Sequence, residues 1–299
     1  MFKIKIPATT ANLGSGFDCF GLAIKLYNTF KFEETADGFE CVMNFKSKKD
    51  HININENENL VYTTVKKVFN QYGKRLPGIY LEEDISIPFS RGLGSSASAV
   101  LAGILASNIF LGDIMKEEDI LNLAFKIEGH GDNIVPALKG GFNITVLEDN
   151  RIVYKKLEVD ENLKIVVLVP KMQIRTKDSR KILPSEVKME DAVFNIARAS
   201  LLTACFTTKD YKYFPIAFQD KLHQNYRAKL IPGFDKVIIN AYKNGALGVA
   251  LSGSGSSIIA FCEKNEKYVG EEMVKTLFSY GLESEYLITF ADNQGALII

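Results

Sequence analysis

The chain has 299 residues, with 36 Lys+Arg balanced by 36 Asp+Glu, 46% hydrophobic and 24% charged residues, 22 Gly and 8 Pro. That composition suits a folded chain with a large buried core and excludes a disordered or collagen-like protein. Zero net charge gives no footprint for nucleic acid or an anionic membrane, so neither is expected as a partner, and the expected partner is small. Cys19, Cys41, Cys205 and Cys262 stand singly, which fits reduced thiols and no zinc site. The opening MFKIKIPATT lacks a signal-peptide core and no apolar run reaches membrane-spanning length, so a cytoplasmic protein is expected.

Alternation predicts strands over 3–6, 20–32, 39–45 and 78–85. Val61, Val65, Val68 and Phe69 recur at helical spacing within 60–72. Ala97, Val100, Leu101, Ile104 and Leu105 do so within 95–111, the clearest helix, and another is predicted over 117–128. A hairpin follows, with strands 141–147 and 151–154 around Glu148-Asp149-Asn150, then an apolar strand over 164–169. Helices are predicted over 187–205, 211–218 and 234–244, strands over 246–251 and 256–262, a helix near 271–279, and closing strands near 285–289 and 296–299. Charge rises over 149–160 between two strand groups, which places a boundary there and divides the chain into 1–153 and 154–299.

Between the strand ending near Ile87 and the clearest helix lies PFSRGLGSSAS: Pro88, Phe89, Ser90, Arg91, Gly92, Leu93, Gly94, Ser95, Ser96, Ala97 and Ser98. Gly92 and Gly94 permit positive φ and close backbone approach to a ligand. Ser95 and Ser96 are expected at the helix cap, where free N–H groups and the positive end of the helix dipole suit a phosphate. The spacing is neither that of a Walker A loop nor of GxGxxG. Alone, the segment reads equally well as a glycine turn with a serine cap.

Four segments in order resemble the GHMP kinases and, within them, the homoserine kinases. They are PATTANLGSGFDCFG (7–21), PFSRGLGSSAS, EGHGDNIVPALKGG (128–141) and GALGVALSGSGSS (245–257). TKDSRKILP (176–184) and HQNYR ending at Arg227 add to the match, which covers nearly the whole chain. The resemblance implies a two-domain α+β fold: an N-terminal ATP-binding domain with a left-handed βαβ unit and a C-terminal ferredoxin-like domain, with the active site between them. It also implies a kinase that uses ATP and Mg2+ to phosphorylate the γ-hydroxyl of L-homoserine for threonine biosynthesis, and a homodimer.

By the same resemblance, the loop 88–98 wraps the triphosphate and Asn59 meets the adenine, although Asn59 also reads as an ordinary helix N-cap. Ser96 and Glu128 correspond to the magnesium ligands; only Gly129 separates Glu128 from His130, a shorter loop than some relatives have. Arg180 and Arg227 correspond to the substrate-carboxylate arginines, and Asp18 with Asn12 to the ammonium site, where each could equally fix a turn. His130, Asn133, Gly253 and Ser254 line the same pocket. Where several sugar and isoprenoid relatives carry a catalytic Asp, Asn133 stands, and an amide takes no proton at neutral pH. Asn133 and Thr176 are therefore expected to orient the hydroxyl while the γ-phosphate takes the proton, with Asp132 the alternative base. A kinase for a mevalonate-like or methylerythritol-derived alcohol is the competing enzymatic reading, and a non-catalytic ligand-binding regulator the competing class.

Overall fold

The structure is a computed structural model that describes residues 1–45, 48–53 and 56–299. The first half runs β1 (Phe2–Ala11), β2 (Phe20–Thr35), β3 (Phe39–Phe45), β4 (Lys48–Asn53), α1 (Leu60–Gln71), β5 (Gly78–Ile85), α2 (Ser95–Phe110), α3 (Glu117–Glu128), α4 (Ile134–Lys139), β6 (Phe142–Glu148) and β7 (Arg151–Leu157). The second runs β8 (Lys164–Pro170), α5 (Thr176–Lys181), α6 (Met189–Thr208), α7 (Phe214–Ala217), α8 (Gln224–Arg227), α9 (Phe234–Lys243), β9 (Gly248–Leu251), β10 (Ile258–Cys262), α10 (Glu266–Ser279), β11 (Ser284–Phe290) and β12 (Leu297–Ile298).

Eight strands form one sheet in the order β12-β1-β2-β5-β3-β4, with β6 on the other end of β2 and β7 beyond it. The length of β2 makes this possible: Thr29–Thr35 pair with β5, while Phe20–Leu22 pair with β6. β3 and β5 are parallel, and β4 and α1 form the connection between them. The second sheet has the order β11-β8-β10-β9 with every neighbouring pair antiparallel, the arrangement of a ferredoxin-like β-α-β-β-α-β unit.

Period-two alternation explains how the halves join. Along β8, Ile165, Val167 and Val169 enter a core shared with Leu22, Ile24 and Phe142 of the first sheet, and Phe206, Phe214 and Phe218 of the second half complete it. Val166 and Leu168 point to the opposite face, against Val237, Met273 and Leu277 from α9 and α10. The first sheet packs its other face on α1, α2 and α3. At about 1.5–3 kcal/mol per buried large apolar side chain, the shared core welds the two sheets together. Two strands tie the halves further: β7 spans residues 151–157 in the first sheet, and β12 returns from the C-terminus to pair with β1 through Ile4–Ile298 and Lys5–Leu297.

Most predicted elements are present, and the departures have local causes. α2 is buried nearly all round rather than on one face, because its Ser, Ala and Gly residues allow close approach; a Cβ on Gly103 would lie 2.6 Å from the Val61 carbonyl oxygen. α10 begins at Glu266, five residues before the predicted start, since Gly270 interrupts the apolar period where the helix meets the Tyr286 ring. The segment 211–218 splits into a 3-10 turn (Tyr211–Tyr213) and α7, which Pro215 opens. β4, α4, α5 and α8 were not predicted; each has six residues or fewer, too short for a period to show. Among the described residues, no helix is long and apolar enough to cross a membrane.

Candidate active site

A cleft opens where the mouth of α2, the turn after β1, α5, the end of α8 and the β9–β10 turn converge. Its floor is the loop before α2. Gly94 caps the helix in the left-handed region at φ 72°, ψ 21°, so Ser95 and Ser96 stand in the first turn rather than at the cap. Glycine is required there: a Cβ would sit 2.0 Å from Thr9 Oγ1. Gly92, at φ 72°, is hemmed in similarly, with a Cβ position 2.0 Å from the Ser252 carbonyl oxygen. The loop is thus shaped by packing against β1 and the β9–β10 turn. Leu93 O accepts from Thr9 N at 3.1 Å, Gly92 O from Ser252 Oγ at 2.6 Å and Arg91 O from Ser257 N at 3.1 Å.

This shape leaves the first N–H groups of a sixteen-residue helix facing the cleft, a setting that favours an anion. Ser95 Oγ is buried there without a partner among the described residues, an orphaned hydroxyl that a bound group would satisfy. Beside it, Ser96 Oγ donates to Glu128 Oε1, which brings two hard oxygens together from α2 and α3.

Charged side chains line the opposite wall. Arg180 of α5 makes a bidentate pair with Asp18, both bonds 2.9 Å. Asp18 N donates to Asn12 Oδ1 at 2.9 Å, and Asn12 Nδ2 donates to Gly253 O at 3.0 Å, so this amide fixes the turn. Arg227 is 2% exposed; its Nη1 donates to Gly253 O at 3.0 Å and its Nε to Ser179 O at 3.4 Å. Burial and the nearby Arg180 cation push its pKa down to about 10, so it remains a cation near neutrality.

Between floor and wall, His130 Nδ1 lies 3.0 Å from Asp132 Oδ1, and Nε2 lies 3.8 Å from Glu128 Oε2. Burial opposes charge on this ring, but Asp132 and Glu128 outweigh it and raise the pKa above its ordinary value. Asn133 is held on both sides: Oδ1 accepts from Thr9 Oγ1 at 2.8 Å, and Nδ2 donates to Asp132 Oδ1 at 3.3 Å. Thr176 Oγ1 faces Ser254 Oγ at 3.4 Å across the remaining side.

The sequence profiles of the GHMP kinases N terminal domain and of the GHMP kinases C terminal region match residues 59–141 and 208–278. A homoserine kinase of Halothermothrix orenii is 46% identical over all of this chain and 96% of its own length. The chain belongs to the homoserine kinase family. A second relative in this family, from Caldicellulosiruptor saccharolyticus, is 42% identical over all of this chain and 96% of its own. The crystal structure of homoserine kinase from Cytophaga hutchinsonii superposes with a TM-score of 0.85 at 30% identity, over 100% of this chain and 97% of that one.

Within this family frame, most of the expected residues meet in one cleft. Asn12, Asp18, Pro88, Ser90 to Ala97, Glu128, His130, Asn133, Thr176, Arg180, Arg227, Gly253 and Ser254 all line it. Three expected residues lie outside its lining. Asn59 is 2% exposed; its Oδ1 caps α1 through Tyr62 N at 2.8 Å, and its Nδ2 donates to the buried Glu83 at 2.5 Å. Phe89 packs edge-on against Phe45, and Ser98 is fully buried with its Oγ on Ser95 O at 2.7 Å. Arg91 reaches the lining, but its guanidinium turns to the end of β8, donating to Pro170 O at 2.7 Å and Lys171 O at 2.9 Å. Two contributors escaped sequence reasoning. Ile174 lines the cleft with no motif to mark it, and Thr9, within PATTANLG, anchors Asn133.

Proposed function

We propose that the chain transfers the γ-phosphoryl group of ATP to the γ-hydroxyl of L-homoserine, giving O-phospho-L-homoserine and ADP, with residues 1–153 carrying the nucleotide and 154–299 completing the amino-acid wall. The observation that carries this reading is that the N-terminus of α2 and the Asp18, Arg180 and Arg227 side chains share one cleft. A triphosphate needs the first, and an amino-acid zwitterion needs the second.

Ser96 and Glu128 are the residues that would hold Mg2+. Among the described residues no three His, Cys, Asp or Glu side chains converge on a metal position, so the donor set suits an ion that keeps water and nucleotide oxygens as its other ligands. When bound, Mg2+ offsets the charge of the transferring phosphoryl group.

Homoserine enters by exchange. Asp18 already occupies the Arg180 fork, so the substrate carboxylate takes that fork together with Arg227, and the ammonium takes the released Asp18 carboxylate. Charge is conserved in the swap. An alcohol without an ammonium would leave Asp18 unpaired, which disfavours mevalonate-like and methylerythritol-derived substrates. Asn133 and Thr176 orient the hydroxyl. Asp132 Oδ1 is engaged by His130 and Asn133, so the proton passes to a γ-phosphoryl oxygen as the new P–O bond forms and the bond to ADP breaks.

The test is ADP release with MgATP and a panel of alcohols. Homoserine should exceed each non-amino alcohol in kcat/KM by at least about a hundredfold, the discrimination expected when a mismatch leaves a polar group unpaired. Faster turnover of a non-amino alcohol would overturn the substrate assignment.

A further inference from the structure

His223 is fully buried one turn before Arg227 and does not line the cleft. Its Nε2 lies 2.8 Å from Gly14 O, in the turn that carries Asp18, and its Nδ1 lies 3.4 Å from Arg227 Nη1. A carbonyl oxygen only accepts, so Nε2 carries the proton; a guanidinium only donates, so Nδ1 presents its lone pair. The two contacts define one neutral tautomer. Burial, opposed by Asp220 and reinforced by Arg227, keeps the ring below its ordinary pKa.

The surroundings hold this arrangement in place. Asp220 lies 3.7 Å from Nε2, but its carboxylate is occupied by Asn195 Nδ2 at 2.7 Å and by the backbone N–H groups of Leu222, His223 and Gln224 at 2.6–3.0 Å. Phe17 stacks on the imidazole at 5.1 Å between centroids, and the Arg227 guanidinium lies 5.2 Å from the centre of the Phe17 ring. Nε and Nη1 of Arg227 are spent on Ser179 O, Gly253 O and His223 Nδ1, while Nη2 makes no hydrogen bond to any described residue.

We propose that His223 is a positioning residue for Arg227: it fixes one edge of the guanidinium and ties it to the Asp18 turn, so that Nη2 is left for the substrate carboxylate. This rests on the carboxylate-binding role given to Arg227 above.

The test uses two substitutions that divide the two functions of the ring. His223→Gln keeps a donor in reach of Gly14 O and removes the acceptor for Arg227, whereas His223→Asn places an acceptor near the Nδ1 position and removes the donor. The Gln variant should raise the homoserine KM about tenfold with the ATP KM within about threefold, and the Asn variant should raise it less. Equal homoserine KM values in both, with only melting temperature lowered, would overturn the proposal. Arg227→Ala in the same series should raise the homoserine KM by about a hundredfold; an unchanged value would sink the Arg227 assignment itself, whatever the histidine variants do. Nitrogen NMR of the wild-type histidines needs no variant to fold. It should show a neutral Nε2–H ring at about pH 8, with Nδ1 shifting on addition of homoserine. A charged ring or the opposite tautomer would contradict the proposal.

Discussion

The two ends of the cleft are built by different means. The end proposed for the phosphates is one continuous stretch, in which Pro88 and Ser90 to Ala97 line the cleft; its proposed working groups are backbone amides, and its shape comes from glycines pressed against β1 and the β9–β10 turn. The end proposed for the amino acid is assembled from side chains of distant segments: Asp18 from the turn after β1, His130 and Asn133 from the segment before α4, Arg180 from α5 and Arg227 from α8. A backbone site tolerates loss of side chains but not addition of atoms. A side-chain site behaves the other way.

The largest expected effect breaks the phosphate end by adding one carbon. Gly92→Ala forces a Cβ to 2.0 Å from Ser252 O at φ 72°, so it should destabilise the protein by about 2–4 kcal/mol and abolish most activity. Denaturant unfolding checks this, and wild-type stability would show that the loop is not packed as described. Arg180→Ala sharpens the contrast at the other end. Its side chain is 40% exposed, so stability should hardly change, while the homoserine KM should rise by about thirtyfold and the ATP KM by less than about threefold. Equal losses for the two substrates would count against the division. The smallest effect concerns His130, where the two ends meet. Its folded pKa is raised, so the stability it contributes is complete below about pH 6.5 and fades as pH rises through the folded value. The stability gap between wild type and His130→Gln should therefore be wider, by less than about 1 kcal/mol, at pH 5.5 than at pH 8.5. A gap that widens with pH would reverse the sign.

The same contrast decides what the sequence reveals. PFSRGLGSSAS is contiguous, so its glycines, serines and following helix suggest an anion site without a fold, although alone they read equally well as a glycine turn with a serine cap. Arg180 and Arg227, read alone, are ordinary surface cations, and only the resemblance placed them opposite the loop. Asn59 shows the limit of both routes. Its N-cap role follows from residue preference, but its bond to buried Glu83, on β5, depends on a pairing that no local pattern encodes. The cap at Gly94 was missed for a similar reason, since serine is the better cap by preference and only contact with Thr9 makes glycine necessary. The helices α4, α5 and α8 carry or flank much of the amino-acid wall, yet with four to six residues each they are held by tertiary contacts rather than by a periodic face.

Diffraction from crystals grown with L-homoserine and a non-hydrolysable ATP analogue examines the central claim in a single map. The β- and γ-phosphates should lie on the backbone of residues 92–96, with the homoserine carboxylate between Arg180 and Arg227 and its ammonium on Asp18. Phosphates seated away from α2, or an amino acid whose carboxylate meets neither arginine, would contradict it.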